Sequence, residues 1–566
     1  MQPKVPASNS IAAVLLRFFR KNEIETIFCV PGAQIEALLV AFASEPDIRI
    51  VLAAHEQGAV AMADGYSRLG GKPGVVFTIN GPGILNAVTM ANTARHDNSP
   101  ILIISGDAPT SVRGNWAFQE SNREISDTLS IMRHACGWAI EIYNVETLQQ
   151  ALDRFGELAR VEPRPLYMNI PTDIMLASPH GCPGDIDEPV IKANHSLPIG
   201  PLKIGNVVML VSRDAASDST IERSIAMAHR YRIPVAVSVS AKSWLDRIDP
   251  ALRLGLYGYA GHERAICALL DQSTATILAI GLLWNERNTL AWRLESGKTI
   301  ALDCSLPSNR MFKAIGSASV EELDRLDSVW SAELTASMAE REAVRLQWMR
   351  LPLLPSPGHV GPGPRLSSAE IMKALNTTLD LESVLFVDSG DHRISATVYF
   401  EADHRRRFIT AARTGPMGWA LGAAIGASFA RSGAPWVITG DGCMLMSGNE
   451  IAVAARYGRP VKVLVFDNGA YARVALRLKN KPSLVMESIA FLPKIDWALY
   501  GKSLGVDSWC VHSQEELEIA ILKASESPRP ALIVAKIPME DPAYPDAIVS
   551  CSSEGWIRSH MAERSI

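Results

Sequence analysis

The chain has 566 residues, of which 48% are hydrophobic and 20% charged, and its formal net charge is −5. This length is several times that of a typical domain, so we expect two to four domains with buried cores. The weak negative charge argues against a cationic surface for nucleic acid or membrane. Eight scattered cysteines include no CxxC pair, which favours reduced structural thiols. With neither a signal peptide nor a membrane-spanning apolar run, the sequence predicts a cytoplasmic protein.

Short apolar runs alternate with helical patterns along the whole chain, which predicts an α/β fold with parallel sheets. A charged segment at 318–350 is typical of a solvated helix. The predicted strands, in chain order, are 49–54, 74–79 and 100–104, then 206–211, 234–239, 275–280 and 299–303, and finally 384–387, 435–439, 461–466 and 531–536.

Two stretches rich in proline and glycine, around 178–202 and at 352–364, do not favour a continuing helix. They divide the chain into three blocks, which we predict to be domains spanning 1–180, 195–350 and 365–550. The first and third blocks have a similar plan, which suggests duplicated α/β units.

The most informative motif is Gly440-Asp441-Gly442, which ends one apolar run, while a second apolar run leads to Asn468. If the two strands are parallel, Asp441 and Asn468 emerge at the same carboxyl edge of a sheet, where α/β folds bind ligands. A carboxylate and an amide oxygen suit Mg²⁺, which takes its other ligands from water, backbone carbonyl and substrate phosphate. The glycines permit close approach of a phosphate. A simple turn is the alternative interpretation.

Further motifs agree in register with this one, and they are His55-Glu56-Gln57, Gly81-Pro82-Gly83 with Asn86, Phe118-Gln119-Glu120, Asp388 to His392, and Gly415-Pro416-Met417-Gly418. Together they resemble the thiamine diphosphate-dependent enzymes of the acetolactate synthase, pyruvate oxidase and benzoylformate decarboxylase group, over nearly the whole length. The resemblance implies three doubly wound parallel-sheet domains: pyrimidine-binding (1–180), central (195–350) and diphosphate-binding (365–550). It also implies a homodimer or homotetramer with sites at the subunit interface.

The resemblance assigns roles to individual residues. Glu56 would activate the cofactor through its pyrimidine ring, and Gln119 would face the substrate, as the two catalytic residues. Asp441, Asn468 and the carbonyl of Ala470 would hold Mg²⁺. The implied cofactor-binding residues are Gly81, Asn86, Ser389, Gly390, His392, Gly415, Met417, Asp441, Gly442, Cys443, Asn468 and Tyr471. For three of these residues a simpler interpretation stays open: Glu56 as a solvent-facing helix residue, Met417 as core, and His392 as a structural histidine.

Two features depart from the synthase pattern. The turn at 211–216 lacks the glycines that a bound nucleotide requires, so FAD is doubtful. Near the expected substrate site, Arg413 and Arg477 could bind an anionic group of the substrate, and His55 could take part in proton transfer. The alternative is that both arginines are ordinary surface residues.

The leading functional hypothesis is an acetolactate synthase-like carboligase, which decarboxylates a 2-oxo acid and transfers the acyl anion to an acceptor carbonyl. The sequence has no adjacent pair of histidines, the proton donors of pyruvate decarboxylases, which favours transfer over release of an aldehyde. A non-oxidative 2-oxo acid decarboxylase is the runner-up. A structural or regulatory relative without cofactor is a third alternative.

Overall fold

The computed structural model describes residues 9–182, 184, 205–290, 292–302, 313–354, 366–431, 433–478 and 482–539, of which 313–316 and 477 have undescribed side chains. Each of the three predicted blocks contributes one six-stranded sheet. All strand pairs within these sheets are parallel. The predicted α/β fold with three parallel-sheet domains is therefore confirmed.

The first sheet has the strand order β2-β1-β3-β4-β6-β5. Its inner strands β3 and β4 are buried on both faces, as expected when helices cover a parallel sheet. The strands are β1 (Thr26–Cys29), β2 (Arg49–Leu52), β3 (Gly74–Ile79), β4 (Ile101–Asp107), β5 (Ala139–Glu141) and β6 (Leu166–Pro171). The helices are α1 (Ile11–Lys21), α2 (Glu36–Ala43), α3 (Glu56–Gly70), α4 (Pro82–His96), α5 (Thr128–Cys136), α6 (Val145–Val161) and α7 (Thr172–Ala177), with a 3-10 turn at Ala33–Ile35.

The second sheet has the order β12-β11-β10-β7-β8-β9. Counted within the domain this is 3-2-1-4-5-6, the order of dinucleotide-binding folds. The strands are β7 (Val207–Val211), β8 (Val235–Val237), β9 (Arg253–Leu256), β10 (Thr276–Ile280), β11 (Thr299–Leu302) and β12 (Lys313–Gly316). The helices are α8 (Asp218–Arg230), α9 (Glu263–Leu270), α10 (Val320–Ala336) and α11 (Met338–Trp348), with 3-10 segments at Val239–Arg247 and Ser296–Lys298.

The third sheet has the order β14-β13-β15-β16-β18-β17, which repeats that of the first sheet. A capping box of Ser367 and Glu370 starts its first helix. The strands are β13 (Val384–Val387), β14 (Arg407–Thr410), β15 (Trp436–Gly440), β16 (Lys462–Asp467), β17 (Asp507–Val511) and β18 (Ala531–Lys536). The helices are α12 (Ser368–Thr378), α13 (Asp391–Tyr399), α14 (Trp419–Ala430), α15 (Asp441–Ser447), α16 (Ile451–Arg456), α17 (Ala472–Arg477), α18 (Ser483–Ala490), α19 (Trp497–Ser503) and α20 (Gln514–Glu526), with a 3-10 turn at Gly448–Glu450.

The first and third domains meet along α3 and α14, which occupy the same position in the two repeated topologies. Both helices are rich in alanine and glycine, and their contact faces are buried. A Cβ atom placed on Gly65 would lie 1.8 Å from the carbonyl oxygen of Ala423, and one on Gly426 would lie 1.8 Å from that of Met62. The two helices therefore approach backbone to backbone, and this contact joins the two domains.

All eleven predicted strands are present; three have the predicted bounds, and the ends of the other eight differ by up to three residues. The segment at 318–350 is helical as predicted, but the expectation that it is a solvated helix is wrong. It is two helices, α10 and α11, and α10 buries Leu323, Leu326 and Trp330 in the core of the central domain. The predicted linkers lie largely outside the described residues, so the domain boundaries stay a prediction. Among the described residues, every helix is too short or too polar to traverse a lipid bilayer.

Candidate functional site

A cavity opens at the carboxyl edge of the third sheet, where β13, β15 and β16 end next to one another. It contains most of the residues predicted for the diphosphate side of the site: Ser389, Gly390, His392, Met417, Asp441, Gly442, Cys443, Asn468, Ala470 and Tyr471. Residues that the sequence did not single out for it also line the cavity, namely Asp391, Phe466, Arg473, Val474, Ile537, Pro538 and Met539.

Asp441 and Asn468 are brought together because β15 and β16 are neighbours in the sheet, with Gly440 opposite Phe466. The carboxylate of Asp441 accepts hydrogen bonds from the backbone amides of Gly442 (2.8 Å) and Gly469 (2.7 Å). Burial raises the pKa of Asp441 to about 6, while these amides act in the opposite direction. The arrangement presents hard oxygen ligands at one edge of the cavity, as Mg²⁺ prefers.

His392 is a neutral, buried side chain that faces this cavity. Burial and the adjacent charge of Arg393 together lower the pKa of His392 to about 3, while a hydrogen bond with the backbone of Asp388 acts in the opposite direction. Its Nε2 atom has no hydrogen-bond partner among the described residues. A Cβ atom on Gly440 would lie 3.1 Å from the His392 ring, so glycine leaves room there for another group. A buried ring nitrogen without a partner, beside a wall kept free of side chains, suits a bound polar ligand.

Met417 and Tyr471 enclose the cavity around the helix start at Gly442. A Cβ atom at Gly442 would lie 2.8 Å from the Tyr471 ring and 3.2 Å from the methyl carbon of Met417. Burial raises the pKa of the Cys443 thiol well above its ordinary value, and its sulfur donates to the carbonyl of Ser389. The thiol is therefore protonated, and it fixes the loop after β13 against α15.

The pyrimidine-side motifs form a second group at the carboxyl edge of the first sheet. Glu56, the first residue of α3, is buried, and its Oε2 accepts a hydrogen bond from Nδ2 of Asn86 (3.0 Å). Gly81 has a φ of +59°, and a Cβ atom there would lie 3.3 Å from Gln119, whose own φ is also +59°. The geometry thus brings the predicted residues Glu56, Asn86, Gly81 and Gln119 to one place. It does not support the alternative of a solvent-facing Glu56.

Glu450 is a site residue that the sequence reasoning missed. It is buried in the third domain, yet its carboxylate accepts a hydrogen bond from the amide of Ala54 (3.1 Å) in the first domain. Burial and the charge of Glu56 together raise the pKa of Glu450 to about 7, while the amides that it binds act in the opposite direction. Glu450 thereby holds the turn that leads into Glu56. No sequence pattern reports such a contact, because it depends on the packing of two domains.

The residues predicted for substrate recognition are not gathered in one place. Arg413 is bound by the backbone carbonyls of His96 and Asp214, so it joins the three domains and does not face the cavity. Neither its predicted substrate contact nor the alternative of a surface arginine is supported. Arg477 ends α17, but its side chain lies outside the described residues. His55 is exposed, and its Nδ1 accepts from the amide of Gln57 as the cap of α3.

In the central domain, a carboxylate joins two loops at the carboxyl edge of the sheet. At the end of β7, the Asp214 carboxylate accepts hydrogen bonds from Asn288 (2.8 Å) and from the amide of Leu283 (3.3 Å). These contacts tie together the two loops that face a nucleotide in folds with this strand order. The prediction that FAD is doubtful rests on the same loop, and it stays a prediction.

Two sequence families match the chain at the two groups described above. "Thiamine pyrophosphate enzyme, N-terminal TPP binding domain" matches residues 9–127, which include Glu56 and Gln119. "Thiamine pyrophosphate enzyme, C-terminal TPP binding domain" matches residues 388–535, which include Asp441 and Asn468. The chain belongs to the thiamine diphosphate-dependent enzymes.

Within this family, the chain is similar to acetolactate synthases along nearly its whole length. It is 27% identical to the acetolactate synthase large subunit of Parasynechococcus marenigrum, over 96% of this chain and 90% of the relative. It is 24% identical to acetolactate synthase isozyme 1 large subunit of Escherichia coli (94% and 95%). It is also 24% identical to the mitochondrial acetolactate synthase catalytic subunit of Saccharomyces cerevisiae, over 93% of this chain and 80% of the relative. This thiamine diphosphate-dependent enzyme is therefore acetolactate synthase-like.

The cavity of the third domain fits the diphosphate end of the cofactor. The unpartnered Nε2 of His392 leaves a buried polar atom facing this space, and the wall at Gly440 lets a phosphate approach the backbone. The start of α15 adds amide groups directed at the same edge.

Proposed function

We propose that the protein is a carboligase that decarboxylates a 2-oxo acid and transfers the acyl anion to an acceptor carbonyl compound. The observation that carries the proposal is that two groups of residues, Glu56 with Gln119 and Asp441 with Asn468, are each brought together at a sheet edge. They lie in a chain that is similar to acetolactate synthases along nearly its whole length. When bound, thiamine diphosphate supplies the electron sink that makes decarboxylation possible. The protein has to bind, orient and protonate the reacting groups.

Each residue has a defined task in this proposal. Asp441, Asn468 and the carbonyl of Ala470 hold Mg²⁺, and the metal would neutralise the diphosphate. His392 would face the diphosphate with its unpartnered Nε2, while the ring is held by its hydrogen bond with the backbone of Asp388. Glu56 exchanges a proton with the pyrimidine ring, and Asn86 orients its carboxylate. Gly415 would accept a hydrogen bond through its carbonyl, and Met417 would support the ring between the two ends.

We also propose that each site is completed by a second copy of the chain. Among the residues that the structure describes, none from the first domain lines the cavity of the third domain. Beside Gln119, the side chain of Phe118 is 85% exposed, and Trp116 is 79% exposed. Large apolar side chains with this exposure are typical of surfaces that are covered in an assembly. An isologous dimer would place the Glu56 group of one copy against the Asp441 group of the other.

Subunit mixing tests this arrangement. Glu56→Gln and Asp441→Asn chains should each be inactive. When equal amounts are unfolded and refolded together, half of the dimers are mixed, and one of their two sites is intact. About one quarter of wild-type activity should then return. Sites built within one chain would regain no activity.

The reaction itself is tested with purified protein, thiamine diphosphate, Mg²⁺ and a panel of 2-oxo acids, with and without an added acceptor aldehyde. Products are identified by mass. The carboligase proposal predicts a hydroxyketone product with carbon from both substrates, absent in the Glu56→Gln control. Aldehyde as the sole product, with or without acceptor, would instead support the runner-up, a non-oxidative 2-oxo acid decarboxylase.

A further inference from the structure

Arg393 is a buried cation with no partner among the described residues. It lies in α13, is 7% exposed, and follows the cavity residues Asp391 and His392 in the chain. Burial and the charge of Arg287 together lower the pKa of Arg393 to about 10, although the charge of Asp388 acts in the opposite direction. Buried charges in folded proteins are almost always paired, because desolvation of a lone charge is unfavourable. We therefore expect an anion to bind next to Arg393.

Among the described residues, no carboxylate forms a hydrogen bond or an ion pair with the Arg393 side chain. The carboxylate of Asp391 pairs with Arg473 at 3.3 Å. Asp388 accepts hydrogen bonds from Thr439 and from the amides at the start of α14, so it serves as a helix cap. Both carboxylates near Arg393 are thus engaged in other contacts.

A second guanidinium converges on the same spot from the central domain. The position of a Cβ atom on Gly415 lies 3.4 Å from Nη1 of Arg393 and 3.6 Å from Nη2 of Arg287. Arg287 is exposed, and its guanidinium lies over the ring of Tyr259, 5.4 Å from the centroid. Arg287, Tyr259 and Arg393 line one small cavity between the central and third domains. Two like charges at one point repel each other unless an anion lies between them.

The cavity lies directly beside the loop at Gly415, which our proposed function places against the cofactor. Tyr259 also links it to the larger cavity, because its hydroxyl accepts a hydrogen bond from Arg473 (3.1 Å), a residue that lines that cavity. An anion held by Arg393 would therefore be next to the reacting groups.

We propose that Arg393, with Arg287 at the mouth, binds a second anionic group of the donor 2-oxo acid, a distal carboxylate or a phosphonate. The proposal rests on the proposed function and narrows its substrate class. The 1-carboxylate of the donor is not the ligand, since it leaves as CO₂ and fixed cations around it would stabilise the reactant over the transition state. Arg393 is the more buried of the two arginines. In the proposed reaction the donor binds before the acceptor, so the donor is the substrate that we assign to Arg393. A guanidinium holds either group through two parallel hydrogen bonds.

The test compares donors of equal chain length with the full-length protein loaded with thiamine diphosphate and Mg²⁺. One pair is 2-oxoglutarate and 2-oxovalerate, and a second is 3-phosphonopyruvate and 2-oxobutyrate. The wild type should prefer the charged member of at least one pair in kcat/KM. Arg393→Gln should reduce that preference by about 10- to 100-fold, the usual effect of losing a hydrogen bond to a charged group. The preference of Arg393→Lys should lie between those of the wild type and Arg393→Gln, because lysine keeps the positive charge but cannot form two parallel hydrogen bonds.

Arg405→Gln is the matched control. Arg405 is an exposed arginine of the same domain, so its substitution removes the same charge without touching the cavity. Its preference should equal that of the wild type. An equal loss of preference in this variant would mean that net charge, and not the site, sets the preference, and would overturn the proposal.

Anion binding is also measured without turnover, by the melting temperature in glutarate, valerate or inorganic phosphate. Glutarate should stabilise the wild type and Arg405→Gln more than valerate does, and Arg393→Gln should lose the difference. If no 2-oxo acid is decarboxylated but this shift appears, the proposed function fails while the anion site stands. Equal shifts in all three proteins would overturn the site. A shift with phosphate and no preference among donors, or a preference confined to charged acceptors, would overturn the assignment to the donor.

Discussion

The contact between α3 and α14 predicts an unusual response to a mild substitution, Gly65→Ala. Replacing glycine by alanine inside a helix normally stabilises it, by about 1 kcal/mol. At Gly65 the added methyl group would lie 1.8 Å from the carbonyl oxygen of Ala423, whereas Cβ atoms keep at least 3.0 Å from their neighbours. The helices would have to separate by more than an ångström at this point.

The magnitude follows from what must move. Overpacking a core costs about 1–3 kcal/mol, and the upper end applies here because the obstructing atom belongs to a helix backbone. After subtraction of the propensity gain, we expect Gly65→Ala to lower the free energy of unfolding by about 2 kcal/mol. Gly426→Ala presses on the same crossing from the other helix, against Met62. Because one separation relieves both clashes, the double variant should lose less than the sum of the two losses.

Gly156→Ala is the control, since Gly156 also lies inside a helix, α6, but a Cβ atom there meets only the Phe18 ring, at 3.4 Å. It should be as stable as the wild type or more so. Urea unfolding midpoints of cofactor-free protein give the ranking, and hydrogen exchange of peptides from α3 and α14 locates the change. If Gly65→Ala matches Gly156→Ala in both measurements, the close approach of the two backbones is refuted.

Three further predictions concern the site. Glu56→Gln should reduce kcat by about 10²- to 10⁴-fold, because it removes a proton-transfer group. Its affinity for thiamine diphosphate, measured by calorimetry, should be nearly unchanged. Full activity would contradict the proposed role. Asp441→Asn should abolish the Mg²⁺-dependent part of the rise in melting temperature that the cofactor produces, and an equal rise in EDTA and in Mg²⁺ for the wild type would argue against the metal site. Because the pKa of Glu450 is raised from 4.5 to about 7 in the folded state, folding holds its proton more tightly, so the wild type should lose up to about 3 kcal/mol of stability as the pH rises from about 4.5 through 7. Glu450→Gln should lack this loss, and identical pH profiles of the two urea midpoints would exclude it.

The sequence predicts best the parts of the fold that are decided locally. The inner strands are continuous apolar runs, so their positions and the meeting of Asp441 with Asn468 followed from the pattern and from the parallel order. Of the seven strands that the sequence reasoning missed, five lie at sheet edges and are only three to five residues long; they are β5, β9, β12, β14 and β17.

Contacts between domains could not be predicted in the same way. Arg413 bonds to carbonyls of the first and second domains, and Glu450 bonds to a turn almost 400 residues earlier in the chain. Arg393 lies in α13, a helix that the sequence analysis recognised only by the cofactor motif at its start, so a role for this arginine was not predicted. Whether such a charged side chain is paired depends on side chains that approach from a different sheet, and periodicity contains no information on that.

The backbone contact of α3 with α14 has a consequence for how this protein can diversify. Glu56 begins α3 and Met417 closely precedes α14, so a pair of helices that admits no larger side chain sets the spacing between these two residues within each copy of the chain. Substitutions that change that spacing are removed by loss of stability before they can alter the reaction. Variation in substrate is therefore confined to the loops after the strands and to the central domain, where Tyr259, Arg287 and the segment after Asn468 can be exchanged without disturbing the crossing. The interior of this enzyme is expected to change slowly in evolution, and the rim of its cavities quickly.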